Sequence, residues 1–171
     1  MVQIIKDLEA SLYASKIVSY AQGLGIIKAA SDKYEWNVNL TECARLWKGG
    51  CIIRAKLLDD IQAAQARDKD LPNLIVDSEF AQALNDRQMA WRRIFTLCVA
   101  SGLPCPALSG SLNYFDSYRR ENLPANLTPA QRDFFGGHTY QSTDREGVFH
   151  CSWTESHHDI GNINERTAGN V

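Results

Sequence analysis

The sequence predicts an all-α fold, and three observations carry the prediction. Apolar residues recur at helical spacing through successive stretches of this 171-residue chain, and no stretch before Gly147 alternates with the period of a strand. The stretches are parted by glycine pairs, prolines and short polar linkers, the residues that end helices. A hydrophobic content of 44% is enough to fill one substantial core.

Taken in order, Ile4, Ile5, Leu8, Leu12, Ile17, Val18, Ala21 and Leu24 set out a long helix over about residues 3 to 33. Gly23 and Gly25 weaken it by roughly 1 kcal/mol each relative to alanine, which implies close packing against another backbone or a local kink. Asn37 to Asn39 breaks the pattern. A second helix is expected from Thr41, as N-cap with Glu42 behind it, to Trp47 or Lys48, where Gly49-Gly50 interrupts. Ile52, Ile53, Leu57, Leu58 and Ile61 then predict a helix from Cys51 to Arg67, stopped by Asp68-Lys-Asp-Leu-Pro72. Another long helix follows, roughly Asp77 to Ala100, burying Phe80, Leu84, Trp91, Ile94, Phe95, Leu97 and Cys98 and closed by Ser101-Gly102. Leu103-Pro-Cys-Pro106 is an extended turn, and the next helix carries Leu108, Leu112, Tyr114, Phe115 and Tyr118. The expected organisation is a helical domain over 1–140 and an extended tail over 141–171. In the tail, Val148-Phe-His-Cys-Ser-Trp153 alternates like a short extended segment, and Thr154 to Val171 is polar enough to be disordered. Phe149 and Trp153 are the aromatics through which such a tail would dock on a partner subunit.

Composition excludes several functions. A formal charge of −2, from 18 basic and 20 acidic residues, provides no field that would gather nucleic acid or an anionic membrane. No window has the apolar length of a bilayer span, and the N-terminus lacks a basic stretch followed by an apolar core. The five cysteines contain no C-x-x-C pair, against both a disulfide framework and a zinc site, so a reducing, cytoplasmic location is expected. His157-His158-Asp159 lies in a polar terminal stretch and is not read as a metal site. Asp59-Asp60 reads as a solvated helix face, and Arg92-Arg93 as a salt-bridged one. There is no P-loop, G-x-S-x-G elbow or H-E-x-x-H, and the scattered glycines do not make a dinucleotide turn. Nothing pairs a general base with an acid and an orienting third group, so the chain carries no complete catalytic set.

One stretch does suggest chemistry. Within Leu123-Pro-Ala-Asn-Leu-Thr-Pro-Ala-Gln-Arg-Asp-Phe-Phe-Gly-Gly-His-Thr-Tyr140, Arg132 stands six residues before His138 across a glycine pair. Thr128, Pro129 and Gln131 read as N-cap, first helical position and reciprocating third position of a capping box, which puts Arg132 in the first turn of a short helix ended by Gly136 and Gly137. Residue types and spacing leave two readings open: a capped helix and turn with no ligand, or a rigid arginine–imidazole pair that grips a phosphate.

The same stretch closely resembles the C-terminal signature of the decarboxylating 6-phosphogluconate dehydrogenases. Leu12-Tyr-Ala-Ser-Lys-Ile-Val-Ser-Tyr-Ala-Gln-Gly23, Trp47-Lys-Gly-Gly-Cys-Ile-Ile-Arg54, Trp91-Arg-Arg93, Tyr114-Phe-Asp-Ser-Tyr-Arg119 and Asp144-Arg-Glu-Gly-Val-Phe-His150 match that family in the same order, over about residues 5 to 153. The resemblance implies part of a large all-helical dimerisation domain, in an enzyme whose Rossmann domain holds NADP. That enzyme oxidises the C3 hydroxyl of 6-phosphogluconate, releases carbon dioxide and tautomerises the enediol to ribulose 5-phosphate. It further implies that Arg132 contacts the substrate phosphate and His138 the substrate, both in the pocket of the neighbouring subunit of a homodimer. The family's lysine base, glutamate acid and dinucleotide fingerprint have no counterpart here, so no catalytic residue is assigned and the chain alone is expected to be inactive. A non-catalytic helical interaction module, or one half of a split enzyme, is the alternative. Lys48 stands where the family has arginine, Leu24-Gly-Ile-Ile-Lys departs from its bulkier segment, and nothing beyond Trp153 aligns.

Overall fold

The computed structural model of the chain describes residues 2–153 and the backbone of 159–162. Among these residues the chain forms α1 (Val2–Tyr34), α2 (Leu40–Lys48), α3 (Leu57–Arg67), a single 3-10 turn (Leu74–Val76), α4 (Ser78–Ala100), α5 (Pro106–Tyr118), α6 (Leu127–Gly136), β1 (Phe149–Cys151) and β2 (Asp159–Asn162). The fold is all-α, as its periodicity predicts, with a two-stranded ribbon after the last helix. Two compact units divide the described residues after Arg119.

In the first unit α1 is the spine: α4 and α5 pack along it, and α2 pairs with α3. Ile17, Val18 and Leu24 of α1 meet Leu58 and Ile61 of α3, Leu84 and Trp91 of α4, and Phe115 of α5 in one apolar cluster. The buried stripe of α1 also carries Ser11, Ala14, Ser15 and Ala21, small residues over which a neighbouring helix can approach closely. Neither glycine of α1 is required by a close approach. A Cβ at Gly23 would meet open space and one at Gly25 only the Asn73 amide at 3.6 Å, and the helix runs uninterrupted past both. Ile4, Ile5, Leu8 and Leu12, although on helical spacing, are exposed.

Two boundaries differ from the sequence expectation. The cap of α2 is Asn39, whose side chain accepts the Glu42 N–H at 3.1 Å, so the helix starts ahead of Thr41. Helix α3 begins only at Leu57. Cys51 to Lys56 turns instead, with Arg54 N bonded to Cys51 O and the Ile53 carbonyl taken by the Tyr20 hydroxyl at 3.2 Å, while Ile52 is 99% exposed. Helix α4 starts where expected, capped by Asp77, which accepts from Glu79 N and Phe80 N and also binds Arg67 at 2.9 Å. Of its expected buried face, Phe80, Leu84, Trp91 and Ile94 are buried, whereas Leu97 is exposed. Arg92 and Arg93 form the expected salt-bridged face, with Asp116 at 2.8 Å and Asp7 at 2.7 Å. The hydrogen bonds from Arg93 hold the Asp7 carboxyl below its ordinary range.

In the second unit α6 leads through a loop to β1. Tyr140 and Phe149 exchange both backbone hydrogen bonds, at 2.9 and 2.8 Å, and β1 pairs antiparallel with β2. The expected capping box does not form. Asn126 is itself helical and makes no side-chain cap, Thr128 N bonds to Ala125 O, and Arg132 falls in the second turn of α6 instead of the first. Phe149 is buried within its own unit, against the Tyr140 ring and the Arg145 guanidinium, so it is not an aromatic held out for a partner. Of the stretch beyond Trp153 expected to be disordered, Asp159–Asn162 form β2; the remainder, with His157 and His158, lies outside the described residues. Among the described residues no helix is long and apolar enough to cross a membrane.

Candidate functional site

Helix α6 fixes two adjacent side chains for different tasks, because neighbours on a helix point about 100° apart. Arg132 is exposed, and Asp133 is fully buried beneath it. The helix ends at Gly137, whose left-handed backbone, φ 61° and ψ 39°, returns its N–H to Asp133 O at 2.8 Å. That turn brings His138 back over the helix, and Arg132 Nη2 donates to His138 Nε2. The two residues that the sequence singled out are therefore in direct contact.

The arginine sets the state of the imidazole. Guanidinium can only donate, so Nε2 accepts, and the ring proton belongs on Nδ1, which faces the Thr139 carbonyl at 3.3 Å. Among the described residues no carboxylate pairs with Arg132. Its neighbour Asp133 is fully committed: Oδ1 accepts from Thr139 N at 2.9 Å and His150 Nδ1 at 2.8 Å, while Oδ2 accepts from Cys151 N and Trp153 Nε1, both at 2.9 Å. The exposed surface thus presents a cation and an imidazole, with the local negative charge sealed below, and a mobile anion would find donors without a competing carboxylate.

Burial pushes the Asp133 carboxyl up, but its donors from Cys151, His150, Trp153 and Thr139 outweigh that and hold it down to about 2. A depressed carboxyl stabilises the fold above its unfolded value of 3.8, and that contribution is lost as pH falls towards 2. Its loss is worth at most about 2.5 kcal/mol. Fluorescence of Trp153, whose indole N–H ends on this carboxylate, is expected to change between about pH 4 and pH 2; a flat signal down to pH 2 contradicts the buried-carboxylate account.

The sequence singles out Arg132 and His138, which the structure brings into contact, but not Asp133, Thr139 or His150, which lie beside them. An acid directly behind an arginine, on a helix about to end at paired glycines, was the available signal. Three of its four donors come from 17 to 20 residues further on and are not local.

Fold and site together define an all-helical domain that ends in a cationic, glycine-turned helix terminus. The chain belongs to the family described as "6-phosphogluconate dehydrogenase, C-terminal domain", which matches residues 1–153. It is 58% identical over 151 residues to 6-phosphogluconate dehydrogenase, decarboxylating 1, of Oryza sativa subsp. japonica, covering 88% of this chain and 32% of that protein. It is 54% identical over 149 residues to the decarboxylating 6-phosphogluconate dehydrogenase of Synechococcus elongatus, covering 87% and 32%. Among solved structures it is similar to the Plasmodium falciparum 6-phosphogluconate dehydrogenase, described in its apo form, with its cofactor NADP+ and with its substrate 6-phosphogluconate. That match has a TM-score of 0.83 and 45% identity, over 88% of this chain and 32% of the other. The chain spans about a third of the length of the relatives it matches.

Proposed function

We propose that this chain is the C-terminal part of an NADP-dependent, decarboxylating 6-phosphogluconate dehydrogenase, in which Arg132 and His138 hold the phosphate end of 6-phosphogluconate. The observation that carries the reading is the contact between these two exposed side chains above a saturated carboxylate, in a domain of that family. The role of the pair is binding and orientation. The planar guanidinium offers parallel donors to phosphate oxygens, and the imidazole adds a ring N–H by moving its proton from Nδ1 to Nε2 as the phosphate takes the place of Arg132 there.

The oxidation at C3, the decarboxylation and the final tautomerisation draw on residues of the complete enzyme, and no proton-transfer group is assigned in this chain. NADP, the cofactor with which the Plasmodium enzyme is described, would supply the hydride acceptor in the complete enzyme. The described residues do not fit a dinucleotide site. Among the described residues the strands are three and four residues long and pair antiparallel, and no parallel strand–helix–strand unit is present. A homodimer is the matching assembly, with Arg132 and His138 completing the neighbouring subunit's pocket. Its support is the exposed apolar row Ile4, Ile5, Leu8 and Leu12 on α1, and Phe134 and Phe135, 60% and 75% exposed, on α6. The compartment we assign is the cytoplasm, supported by an odd number of cysteines with no C-x-x-C pair; chloroplastic relatives occupy the other candidate compartment.

The test is reduction of NADP followed spectrophotometrically with 6-phosphogluconate. Pure chain is expected to give no turnover, and the chain joined to the N-terminal two-thirds of a relative such as the rice enzyme is expected to give it. Turnover by the pure chain, or a folded joined protein without activity, contradicts the reading.

A further inference from the structure

We infer that Asp133 is a positioning residue for the Arg132–His138 pair, acting through the backbone of Thr139. The inference rests on the phosphate-binding reading for its purpose, but its geometry stands independently. Thr139 has φ 69°, in the left-handed region, where a β-branched side chain is strained. Such a residue keeps that conformation only when its surroundings over-determine it, and strain of this kind collects at binding sites.

Here the restraints are visible on both sides. The Thr139 N–H is bonded to Asp133 Oδ1 at 2.9 Å, and Tyr140, next along the chain, is locked to Phe149 by two backbone hydrogen bonds. Gly137, in the same left-handed region, supplies the turn that precedes them. His138 stands between Gly137 and Thr139, so the direction of its ring follows from those two backbones. An unbonded Thr139 would relax to negative φ and swing His138 away from Arg132.

The carboxylate is suited to this work because its other donors hold it in place. Four donors fill its two oxygens, and three of them, from His150, Cys151 and Trp153, come from the ribbon segment. Asp133 therefore ties the end of α6, the His138 loop and the ribbon into one rigid unit. Replacing it by asparagine exchanges an acceptor for an N–H2 group that must face N–H donors, which is worse than a simple loss of charge.

The test uses the full chain and nitrogen-15 magnetic resonance. Wild type is expected to show a strong intraresidue HN–Hα Overhauser effect at Thr139, the signature of positive φ, and a His138 ring protonated at Nδ1 with Nε2 accepting a hydrogen bond. Asp133→Asn is expected to abolish both signals. In the joined enzyme it is expected to raise KM for 6-phosphogluconate at least tenfold with kcat within about twofold, a split that a general loss of folded protein would not produce. Unchanged Thr139 and His138 signals in Asp133→Asn overturn the inference. Lost signals with an unchanged KM support the positioning and remove the phosphate reading instead, so the two failures are distinct. Should Asp133→Asn not fold, Thr139→Gly decides: with the carboxylate kept and the strain removed, an equal or higher melting midpoint and a retained His138 signal support the inference. A lowered midpoint overturns it.

Discussion

Arg132→Ala, made in the joined enzyme, is expected to raise KM for 6-phosphogluconate by about tenfold to about 150-fold. The range follows from hydrogen bonds to a charged partner being worth about 1.5 to 3 kcal/mol, at about 1.4 kcal/mol per factor of ten. The effect belongs in KM, because a grip on the phosphate end is made equally in the ground state and the transition state, and uniform binding of that kind leaves kcat in place. Arg132→Lys is expected to fall between, since lysine keeps the charge but offers no planar fork. The variant is clean: Arg132 is exposed and bonds only to His138 among the described residues, so the stability of the chain is expected to change by less than about 0.5 kcal/mol. An unchanged KM for Arg132→Ala would show that the residue only solvates its helix.

That pair was legible in the sequence because the geometry joining it is local. Six residues across a helix end and a left-handed glycine bring an arginine and a histidine together with little outside help. Asp133 was not legible for the opposite reason. Its meaning depends on where the ribbon places His150, Cys151 and Trp153, and nothing in a helical segment announces donors that arrive from a later one.

Helix ends were misread where several capping residues compete. Asn126 and Thr128 are both acceptable caps, and the chain enters the helix at neither side chain but through backbone bonds beginning at Ala125 and Asn126. Pro129 offers no correction, because the first four N–H groups of a helix are unpaired in any case, and a proline among them loses nothing. Around residues 51 to 56 the apolar period was real but belonged to no helix. Ile52 stands in solvent and the Ile53 carbonyl is held by Tyr20, so a pair of isoleucines after two glycines imitated a helix face.

The long helix α1 shows a further limit. Its period was plain, yet period identifies a helix and not the face that this chain buries. The stripe facing α4 and α5 is built from Ala14, Ile17, Val18 and Ala21, while the larger Ile4, Ile5, Leu8 and Leu12 remain outside. An exposed row of that size on an otherwise regular helix is the pattern of a surface completed by further protein, which accords with a chain that spans a third of its relatives.

The largest effect on stability is expected at Trp91, because everything in the first unit converges on it. Its side chain is fully buried on α4, stacked at 6.2 Å between ring centroids on Phe115 of α5, in the cluster that includes Leu84 and Ile17. Trp91→Ala is expected to cost about 3 to 5 kcal/mol, the range for removing a large buried aromatic and leaving a cavity. Single domains are stable by only about 5 to 15 kcal/mol, so the variant should unfold at much lower urea concentration or not fold at 37 °C. Trp91→Phe separates packing from polarity. The buried Trp91 Nε1–H has no hydrogen-bond partner among the described residues, and a buried donor left unpaired costs about 1 to 3 kcal/mol. Phenylalanine removes that donor while keeping a ring against Phe115, so its cavity penalty is partly offset and its net cost is expected to stay below about 1.5 kcal/mol. Urea titrations of the three proteins, followed by far-ultraviolet circular dichroism, measure both differences. A phenylalanine variant as unstable as the alanine variant would mean that the indole N–H is satisfied in solution, and an alanine variant within 1 kcal/mol of wild type would mean that α1, α4 and α5 do not share the core described above.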